Sequence, residues 1–110
     1  MIFLLAMFDQ DPIADFDKYK AAYDPYRRCV TSAAKAAYPK GENFKSIYQA
    51  AQRACMDKRM EYSMDATLID LERASTSDPN AQPAHASYLG TVFDEELVLE
   101  LTQDFVPRKR

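Results

Sequence analysis

Residues Tyr26 to Cys55 read YRRCVTSAAKAAYPKGENFKSIYQAAQRAC, two helix-forming arms joined by Pro39-Lys40-Gly41, with one cysteine on each arm. Proline cannot continue a helix, and glycine tolerates the left-handed backbone that a tight reversal needs, so the arms fold back on each other as an antiparallel hairpin. Cys29 and Cys55 enclose 25 residues centred on Glu42, beside that turn. Positions equidistant from the turn of an antiparallel pair sit level, which brings both thiols to one height on the seam. That arrangement accommodates a disulfide in an oxidising compartment or two small buried thiols among alanines.

Outward from the first arm, Ile13, Phe16, Tyr19, Tyr23, Tyr26, Val30, Ala33 and Ala37 recur at steps of three and four, one apolar stripe on a helix. Pro25 falls within it. Proline removes a hydrogen bond and crowds the preceding turn, while Asp24-Pro25 suits an N-cap and first helical position, so a kink or break is expected there. The expected pieces are helices near 12–23 and 25–38, with the tyrosines in the core and their hydroxyls at its rim. Upstream, Met1 to Phe8 (MIFLLAMF) is apolar but short of the roughly 20 residues a membrane span needs. It reads as an arm covered by this chain or a neighbour, or as the stub of a secretory signal without its charged start. Asp9, Asp11, Asp15 and Asp17 lack the glycine and terminal glutamate of a calcium loop, and suit a solvated, acidic helix start.

Outward from the second arm, a long return helix is expected from about Glu42 to Ala74. Phe44, Ile47, Tyr48, Ala51, Ala54 and Cys55 share one face, continued by Tyr62, Ala66 and Ile69. Met56, Met60, Met64, Leu68 and Leu71 fall on nearly the opposite face. A rod apolar on one side near the turn and on two sides beyond it needs a second layer. Three elements can supply it: the first arm, swung across the methionines after the Pro25 break; the C-terminal segment; or another protein chain, which adaptable thioethers suit. Ser75 to Ala84 is a loop by composition, and His85 to Gly90 is ambiguous. Thr91 or Asp94 caps a last helix whose apolar face is Phe93, Leu97, Val98, Leu101 and Phe105, although residues 97–101 also fit a short strand. Pro107 ends it, and Arg108-Lys109-Arg110 is too short a basic tail to read as a target signal.

The expected fold is therefore all-α: one domain of three or four helices, an antiparallel helical hairpin with a kinked first arm and a C-terminal helix packed at its open end. The whole composition agrees, with 47% hydrophobic and 28% charged residues and two glycines in 110. Charge is segregated. Lys18 to Arg59 holds ten basic residues against three acidic ones, a balance of +7, so the remainder carries −10 of the net −3. The two parts neutralise each other within one fold, or the basic hairpin faces an anionic target through Lys35, Lys40, Lys45 and Arg53 around its tip. A sequence pI near 5.1 speaks against a dedicated nucleic-acid binder.

Catalytic chemistry is hard to find. His85 lies two residues from Ser87 in a loop-like stretch without a nucleophile elbow. There is no glycine-rich nucleotide loop and no zinc-helix motif, and the one histidine is far in sequence from both cysteines. No catalytic, cofactor or metal residues are assigned. The expected function is a non-enzymatic interaction or assembly module for a protein partner or a second copy, presenting Met56, Met60, Met64, Leu68 and Leu71, the apolar Met1–Phe8 arm, or both; the alternative is a binder or inhibitor of nucleic acid or of a nucleic-acid-handling protein.

The hairpin resembles that of small secreted bacterial proteins, most of them without assigned function: a Tyr-x-x-Cys first arm, an alanine-rich run, a Gly-Glu turn and a second arm ending in Ala-Cys. The matching residues are Tyr26, Cys29, Ala33, Ala34, Ala37, Gly41, Glu42, Ile47, Ala50, Ala51, Ala54 and Cys55, about a third of the chain. The resemblance implies an oxidised Cys29–Cys55 staple and a periplasmic or secreted location; with reduced cysteines the expectation is cytoplasmic. It brings no catalytic residues.

Overall fold

The computed structural model describes residues 16–76 and 85–105. Met1–Phe8, the aspartates at 9, 11 and 15, Ile13, most of the expected loop (77–84) and the basic tail lie outside them. Within the described residues the chain forms four α-helices and no strand: α1 (Phe16–Ala37), α2 (Phe44–Ala54), α3 (Met56–Thr76) and α4 (Ala86–Asp104). The short strand considered for residues 97–101 is helix.

Of the kink or break expected at Pro25, the break does not occur: α1 runs through it as one helix rather than two. Pro25 and Ala21 are both exposed, so the missing hydrogen bond falls on the solvent side of the helix. The opposite side supplies the continuity: Tyr19, Tyr23, Tyr26, Val30 and Ala34 form one buried row spanning the proline. Packing of that row outweighs the local preference to stop.

Tyr38–Lys40 forms a single 3-10 turn, and Gly41 closes it at φ +84°, a left-handed conformation that costs glycine little. Asn43 then caps α2, its side chain accepting from the Ser46 amide at 2.8 Å. The return arm is not one rod. It is interrupted at Cys55 (φ −109°, ψ 18°), which ends α2 and precedes α3. Hydrogen bonding continues around the step: the Cys55 amide donates to Ala51 O and its carbonyl accepts from Lys58 and Arg59. Both pieces lie on α1, α2 against its C-terminal half and α3 against its N-terminal half, and the Cys29–Cys55 disulfide, Cα atoms 6.0 Å apart, ties α1 to the joint. Ala54, expected on the buried face, is exposed beside it.

α4 does not sit at the hairpin's open end; it follows α1 along its length and in the same direction. Phe93 meets Phe16 and Tyr23, Glu100 meets Arg27, Asp104 meets Lys35, and the Tyr38 hydroxyl donates to Leu101 O at 3.0 Å. The result is an up-down-up bundle whose middle member is bent. Leu89, Phe93, Leu97 and Leu101 complete the core, each burial worth about 2 kcal/mol. α4 also starts earlier than Thr91 or Asp94. Its first amides, His85 and Ala86, donate to the two carboxylate oxygens of Asp70 at 3.0 and 3.1 Å, so the cap comes from α3 rather than from the local sequence.

Candidate interaction surface

Two faces of α3 have opposite fates. Tyr62 and Ala66 are buried, and Ile69 is half-buried against α1 and α4. Met56, Met60, Met64, Leu68 and Leu71 are 48, 59, 66, 63 and 59% exposed. The first arm does not cross them, because the unbroken α1 spends Tyr19 and Tyr23 on the other side of α3. Steps of four, four, four and three place these five side chains in one row, about 22 Å long at 1.5 Å per residue. Tyr88 and Leu99 are also exposed, but they stand eleven positions apart on α4 and form no row.

The borders of the row differ. On one flank each of four row residues is followed directly by an acid, Met56-Asp57, Met60-Glu61, Met64-Asp65 and Leu71-Glu72, and all four acids are exposed. Lys58 reaches Glu61 across 4.0 Å. On the other flank an open groove of about 500 Å³ runs between α3 and α4, lined by Arg59, Asp70 and Leu71 and by the hydroxyls of Ser63, Thr67, Ser87 and Thr91. Thr67 and Thr91 give their protons to Ser63 O and Ser87 O of their own helices, so each turns acceptor lone pairs outward.

Beneath that groove lies a polar cluster with little signal in the sequence. The Tyr23 hydroxyl donates to Asp94, whose other oxygen accepts from Arg59 at 3.0 Å. The Arg59 guanidinium carbon stands 5.2, 5.8 and 6.0 Å from the ring centres of Tyr62, Tyr26 and Tyr23. Gly90 makes room for it: a Cβ there would come within 3.0 Å of Arg59 and 3.1 Å of Tyr62. Asp70 accepts a third hydrogen bond, from the Tyr19 hydroxyl. The His85 ring lies edge-on to Tyr19, and its Nε2 is buried with no partner among the described residues. Ser87 lines the groove. No group of three or more His, Cys, Asp or Glu side chains able to hold a metal occurs among the described residues.

The phenols register this burial. Burial, reinforced by the hydrogen bond to Asp70, pushes Tyr19 up to about 12, and burial also takes Tyr62 to about 12 against the opposing charge of Arg59. Tyr23 moves the same way, through burial and then its bond to Asp94. The fold thus holds these protons more tightly than the unfolded chain, whose tyrosines titrate near 10. Their contribution is complete below about pH 10 and disappears as pH rises through about 12. Urea midpoints followed by far-UV circular dichroism should fall steeply across that window, more than in a Tyr19→Phe/Tyr62→Phe variant compared with its own neutral value.

The basic candidates are dispersed. Lys35 is paired with Asp104 at 3.6 Å, while Lys40 and Lys45 are exposed at the tip. Arg53 is exposed in the last turn of α2, about 12 Å along the helix from Lys45 and next to the disulfide joint. α4 carries the matching charge: Asp94, Glu100 and Asp104 meet Arg59, Arg27 and Lys35. Much of the segregation in sequence is therefore cancelled where acidic α4 lies on the hairpin.

No protein-family model matches this chain, and neither a curated protein nor a solved structure does. No helix among the described residues is long and apolar enough to cross a membrane.

Proposed function

We propose that the protein is a non-enzymatic helical interaction module that presents the α3 row to a protein partner. The observation carrying this reading is the set of five large apolar side chains, each about half exposed or more, in one row on a helix whose other side buries Tyr62 and Ala66. Single exposed apolar residues are ordinary; a continuous row of them is a docking feature. Methionines at three of five positions suit a surface that repacks around what it binds. The bent, disulfide-tied hairpin behind α3 supplies a rigid support, and the Cys29–Cys55 bond suits an oxidising, extracytoplasmic setting. The basic-hairpin alternative has less behind it, since Lys35 is paired and Arg53 stands away from the tip.

A Met60→Ser/Met64→Ser/Leu68→Ser variant tests the module. These side chains are 59, 66 and 63% exposed, so each change should alter stability by less than about 0.5 kcal/mol. Helical ligands selected from a peptide library on the full chain should lose binding to the variant. Selected ligands that bind both chains alike, or slow peroxide oxidation of Met60 and Met64 in the isolated monomer, would remove the reading.

A further inference from the structure

We infer that the α3 row receives a basic amphipathic helix, one with an apolar stripe at steps of three and four and lysine or arginine along its edge. This rests on the module reading above and adds the chemistry of the partner. A row about 22 Å long that drifts about 40° around α3 with each step of four matches a helix of four to five turns crossing α3 at an angle, with side chains of one entering the spaces of the other. Charge selects the kind of helix. Asp57, Glu61 and Asp65 border one side at one-turn intervals, Glu72 continues the line, and Thr67 on the other side has its proton committed to Ser63 O. The acidic margin thus offers carboxylate acceptors, which cationic donors satisfy and carboxylates do not, while the other margin adds the Thr67 hydroxyl beside Arg59. Of the nearby cations, Arg59 is held by Asp94, and Lys58 reaches Glu61 only at 4.0 Å in an exposed pair that a partner's lysine or arginine can share.

The same charges argue against two other occupants. Two copies pairing their rows in antiparallel fashion would bring like flank to like flank, four carboxylates facing four, a repulsive arrangement. The chain's own residues 1–15 contain Asp9, Asp11 and Asp15 and no lysine or arginine, so they carry the wrong sign for this margin.

The test uses the full chain and synthetic helical peptides of about five turns with one shared leucine stripe, flanked by lysines in one peptide and glutamates in the other; a third keeps the lysines but scrambles the stripe. Fluorescence anisotropy should show the lysine-flanked peptide binding at least about tenfold more tightly than the glutamate-flanked one, as expected from three surface charge pairs turned from attraction to repulsion. Binding should weaken as the screening length shrinks from about 30 Å at 0.01 M salt to about 3 Å at 1 M. An Asp57→Lys/Glu61→Lys/Asp65→Lys variant should reverse the preference, and an Asp57→Asn/Glu61→Asn/Asp65→Asn variant should abolish it.

Equal binding of both flanked peptides at all salt concentrations would overturn the charge inference and leave the module. Equal binding of the scrambled lysine peptide would overturn it as well, reducing the contact to charge alone. Sedimentation as a dimer whose row excludes every peptide would make a second copy the occupant. Lysine-peptide binding that appears only after removal of residues 1–15 would make the arm the occupant. Absence of any peptide binding, together with protected Met60 and Met64 in a monomer, would end both readings at once.

Discussion

Asp94→Ala should destabilise the protein by about 3 kcal/mol, more than any exposed substitution on the same helix. Asp94 accepts from two groups that α4 does not own, the Tyr23 hydroxyl and the Arg59 guanidinium at 3.0 Å. Arg59 and Asp94 side chains are 25 and 31% exposed, so the full 3–5 kcal/mol cost of stripping one member from a buried ion pair is an upper limit. Two hydrogen bonds involving a charged acceptor, at about 1.5 kcal/mol each, give the same figure independently. Removing Asp94 leaves a phenol in the core without its acceptor and a cation against three tyrosine rings. Asp94→Asn keeps an acceptor for Tyr23 and should cost about half as much. In the Asp94→Ala background, Tyr23→Phe removes the stranded hydroxyl and should be nearly neutral, although alone it costs about 1–2 kcal/mol. Urea titrations at constant slope read the cycle. A loss below about 1 kcal/mol for Asp94→Ala would mean that Arg59 swings into water and the cluster holds nothing together.

This cluster also marks where the sequence stops being informative. The hairpin is legible because its determinants are local: Pro39 and Gly41 at the reversal, an amphipathic stripe on each arm, and two cysteines equally far from the turn. The apolar face of α4 is legible for the same reason. What escapes local reading depends on residues distant in sequence. α4 starts at Ala86 because Asp70, sixteen positions earlier, accepts its first amides, whereas Thr91 and Asp94 only resemble caps. Asp94 instead serves Tyr23, 71 positions away. α1 passes Pro25 because its buried tyrosine row is held by α3 and α4, a tertiary gain that outweighs a local penalty.

The candidate surface was half legible. Its five residues follow from helical spacing, but spacing shows only that a face is apolar and not what covers it. A broken α1 would have freed the Tyr19–Tyr23 segment to lie over the methionines. The unbroken helix carries those rings to the opposite side of α3, so the continuity at Pro25 and the exposure of Met60 and Met64 are linked consequences of one packing choice. Arg59 shows the same dependence in reverse. It follows the first methionine on α3 by three positions and looks like part of a solvated basic run, yet the bend at Cys55 and the absence of a side chain at Gly90 let its guanidinium enter a tyrosine-lined site.

Removing the disulfide, by reduction or by Cys29→Ala/Cys55→Ala, should cost about 3.5 kcal/mol with little change in helix content. The bond closes a separation of 26 residues, and the chain-entropy estimate for a loop of that length gives this value. The helices should persist because their hydrogen bonds do not depend on it: Cys55 N–H donates to Ala51 O and Cys55 O accepts from Lys58 and Arg59 whether or not the sulfurs are joined. The joint should persist too, since Cys55 is 0% exposed and its neighbours Ile47, Ala51 and Tyr62 stay packed on α1. Alanine is the right replacement. Serine at a fully buried position would add about 1–3 kcal/mol for a hydroxyl without a partner and confuse the reading. Reduced wild type and the double alanine variant should therefore show the native far-UV spectrum and urea midpoints lowered by similar amounts, with each single alanine variant as low as the double. A shift below about 1 kcal/mol would show that packing alone fixes the bend. Loss of helix signal before unfolding would show that the bond is what allows α2 and α3 to end and restart at Cys55. The first result would assign the rigid support behind the α3 row to the packing of Tyr62 and Ala66 in the core, and the second would assign it to the disulfide.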